Sequence, residues 1–293
     1  MQKLLTIITP VYNRASLINK LFDSLIKQKN KNFIWMVIDD GSTDEIKKEM
    51  DQIIGESDFE IRFYQKDNGG KHTALNVAFS NLETELALIV DSDDTLIPDA
   101  TEIIEETWKK RDDKEVAGCV FLKGHEDGTC IGYSELEDGT YDMIDAMFSH
   151  NISGDKAEVF RSDILKQFRF PVYSGEKFIG EDYIWRQIYL KYSMMYCNRI
   201  IYLCEYLEGG LTKQGRKLRI SCPLGGMDNS KVSFDKHFPL RERIKRAWLF
   251  VCYGKFAGLA YWEIIDRSNA KILISCNYIF GVLLYFFWKI RYV

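Results

Sequence analysis

Three carboxylates stand within four residues at Asp91-Ser92-Asp93-Asp94. Like charges this close repel one another and cannot be buried unpaired. They directly follow residues 86–90, LALIV, an unbroken apolar run that reads as a buried strand. The C-terminal edge of a parallel strand is where open α/β sheets place their ligands. Hard oxygen ligands there suit Mg²⁺ or Mn²⁺, usually shared with substrate phosphates. The spacing Asp91-x-Asp93 therefore points to a metal–diphosphate site. The tripeptide alone fits equally well a solvated acidic turn ahead of a helix starting near Pro98.

The surrounding chain must bring partners to those acids. Residues 3–9, 33–38, 61–64 and 86–90 read as strands. Helical patterns separate them, running to about Gln28, over 46–54 and over 71–81, with a fourth at 98–110. Asn13 or Ser16 is the expected cap of the first helix. This alternation implies βαβ crossovers and a mostly parallel α/β sheet flanked by helices. Right-handed connections place all strand C-termini on one edge. Residues 9–12, 39–40, 66–71 and 91–94 are thus expected to converge. Further on, 116–123 and 157–160 read as strands and 124–139 as turns. Glu181-Asp182 opens a helix, 195–207 is a strand region, and 208–231 reads as a mobile Gly- and Lys-rich stretch. From residue 240 the chain is helical and rich in aromatics.

With 293 residues, 46% of them hydrophobic and 14% aromatic, the chain can bury a large core. A net charge of −4 argues against a general nucleic-acid binder. The 7 cysteines form no C-x-x-C pair, so reduced thiols are expected in place of zinc or disulfides. The N-terminus reads as a first strand and not as a signal peptide.

Five ordered stretches resemble family 2 of the glycosyltransferases, inverting enzymes with the GT-A fold. They are TIITPVYNR (6–14), VIDDGSTD (37–44), DNGGKHTALN (67–76), VDSDDTLIPD (90–99) and GEDYIWR (180–186). The resemblance implies transfer of a sugar from a nucleotide sugar, expected to be a UDP-sugar, to an acceptor hydroxyl. Many such enzymes assemble bacterial surface polysaccharides and teichoic acids. It implies a GT-A domain over 1–235. It places Thr9, Pro10 and Tyr12 on the nucleoside, and Asp39 as the acid that accepts a hydrogen bond from uracil. Asp40 is the neighbour that caps the next helix. Asp91 is the ribose- or metal-linked acid, and Asp93 the direct ligand of Mn²⁺ or Mg²⁺. Lys71, after a Gly-Gly turn, would meet phosphate at a helix start. The family often has Arg in this helix, so Lys71-His72 is a departure. Lys213 and Arg216, in GGLTKQGRKLR (209–219), resemble cations of a loop that closes over the diphosphate.

Inverting transfer is a single displacement through an oxocarbenium-like state. It needs one general base for the acceptor proton and cationic charge on the departing diphosphate. Asp182 matches the family's base and Glu181 its acceptor-positioning neighbour. The same acids would also complement a helix dipole. The acceptor is expected to be a saccharide or a lipid-linked group. A sugar nucleotidylyltransferase would carry a Gly-rich basic loop after the first strand, which TPVYNRA lacks. A non-catalytic nucleotide-sugar-binding module would need neither acid cluster.

Residues 236–293 read as a helical appendage for membrane association or oligomerisation. Basic and aromatic residues alternate over 240–266, and the apolar run 272–288 is bounded by Lys271 and Lys289. A spanning helix usually needs about 20 such residues. Peripheral attachment at the inner face of the cell membrane, from the cytoplasm, is expected, with a homo-oligomer contact as the alternative.

Overall fold

A computed structural model of the chain describes residues 3–111, 115–150, 152–204 and 211–292, the side chains of 211–214 excepted. In chain order its elements are β1 (Leu5–Val11), α1 (Ile18–Ile26), β2 (Phe33–Asp39), α2 (Ile46–Glu56), β3 (Glu60–Gln65), α3 (Lys71–Ser80), β4 (Leu86–Ile89), β5 (Thr95–Leu96) and α4 (Ala100–Lys109). They continue with β6 (Val116–Gly124), β7 (Gly139–Tyr141), α5 (Met143–Ser149), β8 (Lys156–Arg161), α6 (Ser162–Leu165), α7 (Asp182–Tyr189) and β9 (Ser193–Leu203). Last come α8 (Leu211–Ile220), α9 (Pro223–Val232), α10 (Leu240–Phe256), α11 (Tyr261–Arg267) and α12 (Lys271–Tyr292). The chain divides into two compact units, Met1–Arg169 with Lys191–Glu205, and Phe170–Leu190 with Tyr206–Val293.

The first unit is built on one sheet in the order β3-β2-β1-β4-β8-β6-β9-β5, with β7 paired to β9. β1 and β2 are buried along their whole length, as their apolar runs require of strands covered on both faces. β3 is the edge strand and carries Glu60, Arg62 and Gln65, which discourage further pairing. β1, β2, β3 and β4 run parallel, in registers that set Val11 beside Asp39 and Asp39 beside Gln65. Their C-terminal ends therefore share one edge. Beyond β4 the sheet is mixed, because β8 enters antiparallel between β4 and β6. The turn-rich stretch leads into β7, a short strand that the turn signals hid.

Neither Asn13 nor Ser16 caps α1, whose N-cap is Leu17 without a side-chain bond. Asn13 instead takes a left-handed φ of 51° and joins the first loop to the second. Its amide donates to Ser42 Oγ at 2.9 Å, and its Oδ1 accepts from the Thr43 amide at 2.8 Å.

The second unit is helical. Its core gathers Met227, Phe234, Phe250, Val251, Tyr253, Ile264, Ile274 and Trp288. The stretch expected to be mobile forms α8, kinked at Gly215, and α9. Pro223 supplies the first turn of α9, where its missing N–H costs nothing. Glu176 then accepts from the amides of Leu224 and Gly225, both at 2.8 Å. Two glycines of this stretch are sites of close approach. A Cβ on Gly226 would lie 2.8 Å from the Tyr253 ring, and one on Gly225 2.6 Å from Ile179. All seven cysteines are free thiols.

Candidate active site

In the first unit, the loops after the parallel strands are tied together at their common edge. Asp39 ends β2 and is 2% exposed. Its Oδ1 accepts from the Ser42 amide at 2.9 Å and its Oδ2 from Gln65 Nε2 at 3.1 Å. Each oxygen keeps a further lone pair for a ligand. Asp40, equally buried, does not cap α2. It organises the loop before α3, accepting from Lys66 Nζ at 2.6 Å, Asn68 Nδ2 at 2.9 Å, and the amides of Gly69 at 3.0 Å and Gly70 at 2.7 Å. α3 has no side-chain cap of its own, and Asp40 fixes the Gly69-Gly70 turn that leads into it.

Lys71, the first residue of α3, reaches across to Asp91, with Nζ 2.5 Å from Oδ1. His72 is turned inward, 1% exposed, so Lys71 is the member of the pair at the acid cluster. Burial acts to raise the pKa of Asp91. Lys71, Lys123 and Arg14 together outweigh it and hold the carboxyl below its ordinary value. Asp93 is half-buried and makes no hydrogen bond or ion pair among the described residues. Asp94 faces inward. Its Oδ2 accepts from the Tyr202 hydroxyl at 2.6 Å, and burial pushes its pKa up to about 7, opposed by that bond and reinforced by Asp91 and Asp93.

Of the expected nucleoside contacts, Tyr12 is 47% exposed at the end of β1. Pro10 is buried in β1. Thr9 is wholly buried, and its Oγ1 accepts from Trp35 Nε1 at 2.9 Å. The Thr9 hydroxyl thus ties β1 to β2 from inside the fold.

Among the described residues no group of three or more His, Cys, Asp or Glu side chains is set to hold a metal ion. Asp91 and Asp93 nevertheless fit one particular role. Mg²⁺ and Mn²⁺ bind through one or two carboxylates, with waters and substrate phosphates completing the shell. The lowered pKa of Asp91, which keeps it ionised, and the uncommitted carboxylate of Asp93 meet that need.

In the second unit, Glu181 is the N-cap position of α7 and Asp182 its first residue. Asp182 Oδ1 accepts from Asn229 Nδ2 at 2.6 Å, and Oδ2 lies 3.5 Å from Arg186 Nε and 3.9 Å from Arg246 Nη2. Arg246 Nη1 donates to Asn229 Oδ1 at 3.1 Å and its Nε to Glu242 Oε1 at 2.7 Å. Arg186 Nη1 donates to Ser233 Oγ at 2.6 Å. The carboxylate is thus fixed on one side while remaining 46% exposed. It opens on a cavity of about 70 Å³ lined by Gly180, Arg219, Asn229, Arg246 and Tyr253 among others.

The expected loop cations fare differently. The Lys213 side chain lies outside the described residues. Arg216 is held on α12, with its guanidinium 5.0 Å from the Trp288 ring centre and Nη1 donating to the Tyr292 hydroxyl at 3.1 Å. Aromatic faces and a phenol satisfy it there, so it is not the open phosphate ligand its loop suggested.

Tyr202, Asn229, Arg246 and Asp40 are the site residues that sequence reasoning missed or undervalued. Asp40 had a signal, since an acid next to Asp39 and a Gly-Gly turn are both visible. Tyr202 had none, standing 111 residues from Asp91.

The sequence model described as Glycosyl transferase family 2 matches residues 6–174. Over 296 aligned positions the chain is 32% identical to the hyaluronan synthase of Pasteurella multocida, covering 94% of this chain and 29% of that protein. The chain spans less than half the length of the curated relatives it matches. Among solved structures, S. aureus TarS 1–349 in complex with UDP-GlcNAc gives a TM-score of 0.64 at 18% identity, over 96% of this chain and 89% of that one. The mannosyltransferase PcManGT of Pyrobaculum calidifontis, in complex with GDP-Man and Mn²⁺, gives 0.60 at 17% identity, over 99% and 88%. At such identities the likeness is one of fold, the GT-A fold of a central sheet flanked by helices. The family match runs from β1 past β8 and takes in every acid at the strand edge, and on it the chain belongs to glycosyl transferase family 2.

Proposed function

We propose that the chain is a metal-dependent hexosyltransferase that moves a sugar from a UDP-sugar to an acceptor hydroxyl with inversion, in bacterial cell-surface polysaccharide synthesis. The carrying observation is the strand-edge cluster in which Lys71 holds Asp91 beside an uncommitted Asp93. The relatives and fold neighbours support it by their names, a hyaluronan synthase and complexes with UDP-GlcNAc and GDP-Man.

In this reading Asp39 accepts from the uracil ring, and Tyr12 packs on the nucleoside at the end of Pro10 and Thr9. Asp93 and Asp91 would hold Mn²⁺ or Mg²⁺, which supplies positive charge to the diphosphate as it leaves. Lys71 adds a second cation there, and Lys213 a third. Asp182 takes the proton from the acceptor hydroxyl as its oxygen bonds to the anomeric carbon and the bond to the UDP oxygen breaks. Glu181 positions the acceptor. Asn229, Arg186 and Arg246 orient Asp182 and leave one face open.

In this account residues 1–235 carry the donor-site acids and the general base, and the segment 236–293 both supplies Arg246 beside Asp182 and attaches the chain at the cytoplasmic face of the membrane. Support comes from α12, a helix of 22 residues long and apolar enough to cross a bilayer, with 17% of its apolar window buried. Ile272, Ile279, Leu283, Phe286 and Ile290 are exposed along it at helical spacing, while Ile274, Gly281 and Trp288 face inward. One face packed and one face apolar and open suits a helix lying in the interface more than one crossing it.

Calorimetric titration with UDP, with and without Mn²⁺, tests the donor reading. Binding strengthened by Mn²⁺ in the wild type and indifferent to it in Asp93→Asn is the expected result. Mn²⁺-stimulated turnover unchanged in that variant would refute the metal assignment.

A further inference from the structure

Two guanidiniums face Asp182 without closing on it. Arg186 Nε stands 3.5 Å from Asp182 Oδ2, and Arg246 Nη2 stands 3.9 Å from the same oxygen. A committed arginine–carboxylate pair closes to about 2.7–2.9 Å. Arg186 is 9% exposed, and its Nε is buried with no hydrogen-bond partner among the described residues. A buried N–H left open beside a carboxylate is unusual, since such groups are nearly always paired. Other contacts must hold these ions apart.

Glu242, in the first turn of α10, makes the main ones. Its Oε1 accepts from Arg246 Nε at 2.7 Å and from Arg186 Nη1 at 3.3 Å. Glu242 is buried, so water screens these contacts little. Burial acts to raise its pKa, but Arg246, Lys245 and Arg186 outweigh it and hold the carboxyl below its ordinary value. It is therefore charged near neutral pH. Ser233, wholly buried, accepts from Arg186 Nη1 at 2.6 Å, and Asn229 Oδ1 accepts from Arg246 Nη1 at 3.1 Å. Each arginine has its short contacts elsewhere and only a long one on Asp182. Asp182 Oδ1 is bonded to Asn229, so Oδ2 is the oxygen left to accept a proton. Two guanidiniums against a lone carboxylate would close on that oxygen and occupy its lone pairs. The second carboxylate balances the second guanidinium and draws both away.

We propose that Glu242 is a positioning residue of the transfer reaction, engaging Arg186 and Arg246 so that Asp182 Oδ2 stays open to the acceptor proton. The inference rests on the reading of Asp182 as the general base. It makes α10 a working part of the site, since this helix supplies both Glu242 and Arg246.

Glu242→Gln keeps the size of the side chain and an acceptor oxygen but removes the charge. Crystal structures of the full chain, wild type and Glu242→Gln, read the geometry. At least one guanidinium is expected to close on Asp182 Oδ2 to about 3 Å or less in the variant. Separations as in the wild type would overturn the proposal. The kinetic reading is UDP release from UDP-GlcNAc and UDP-glucose, with Mn²⁺ present and water as the acceptor. In Glu242→Gln kcat should fall about tenfold or more while the donor KM stays within about twofold. Glu242→Gln/Arg246→Gln rebalances the charge and should recover part of the lost kcat, which a merely structural role of Glu242 would not allow. A double variant no faster than Glu242→Gln would overturn the proposal. If Glu242→Gln does not fold, Ser233→Ala releases Arg186 in its place. Arg186 is then expected to close on Oδ2, and an unmoved Arg186 overturns the proposal. An arginine closed on Oδ2 with kcat unchanged removes the reading of Asp182 as the base, and this inference with it. Arginines that stay open remove the role of Glu242 alone, and Asp182→Asn still tests the base.

Discussion

The Tyr202 hydroxyl donates to Asp94 at 2.6 Å and accepts the backbone amide of Asp91 at 3.1 Å. One buried phenol from β9 thus sets the shape of the acidic loop that follows β4. Burial raises the phenol's own pKa well above its ordinary value, so it remains the donor to Asp94. Tyr202→Phe leaves a buried carboxyl and an amide without this partner. The expected cost is about 1–3 kcal/mol in urea unfolding, the usual penalty for an unsatisfied buried polar group. UDP affinity measured with Mn²⁺ should fall in the same variant. Unchanged stability and unchanged affinity would show that the loop holds its shape without Tyr202.

Asp39 and Asp40 are adjacent, equally buried, and divide the work. Asp40→Ala removes the acceptor for two backbone amides, Asn68 and Lys66, so it should destabilise the fold by about 2 kcal/mol or more. Asp39→Asn should leave the unfolding midpoint nearly in place while weakening UDP. Paired denaturation and UDP titration of the two variants checks this, and the reverse pattern would exchange their roles.

The same pair marks how far the sequence could be read. Apolar runs of β1, β2 and β4 and the helical periods between them announce a parallel sheet, and with it the edge where Asp39, Lys71 and Asp91 meet. The residues that fix those side chains are not announced. Tyr202 and Asn229 are ordinary polar residues far along the chain, and only folding brings them to Asp91 and Asp182. The stretch holding Gly225-Gly226 read as Gly-rich and mobile because local composition knows nothing of Ile179 and Tyr253 packed against those glycines. Arg216 looked like a phosphate ligand because the aromatic partners on α12 lie more than a full domain segment away in sequence. β8 reads as a strand, but its antiparallel entry is a matter of tertiary pairing.

His72 gives a pH test of the strand-edge packing. Burial holds its pKa below the ordinary value, with Asp40 acting to raise it and Lys66 to lower it. The unfolded chain therefore takes up this proton at higher pH than the folded one. The contribution of neutral His72 is fully present above its unfolded pKa of about 6.5 and is lost as pH falls through that value toward the lower folded one. Urea unfolding at about pH 7.5 and about pH 5.5 should show a larger loss in the wild type than in His72→Gln. Equal losses would mean the imidazole is protonated in the folded protein.

The open face of α12 is predicted to meet lipid. Replacing Phe280, Phe286 and Phe287 by Ser removes exposed aromatic surface and leaves the inward Ile274, Gly281 and Trp288 intact. Cosedimentation with anionic vesicles should drop about tenfold or more, since interfacial binding scales with buried apolar area. If vesicle binding is unchanged and an oligomer dissociates instead, the face is a contact between copies of the chain.

The account's central claim is that Asp182 removes the acceptor proton during transfer from a nucleotide sugar. Asp182→Asn keeps the size of the side chain and its bond with Asn229 but cannot take that proton. Steady-state kinetics in acceptor, with UDP-sugar titration on the same protein, is the direct measurement. Turnover is predicted to fall by about 10²–10⁴, the usual contribution of a general base, with donor affinity retained. Near wild-type turnover in Asp182→Asn, whether or not Glu181→Gln is inactive, would contradict it.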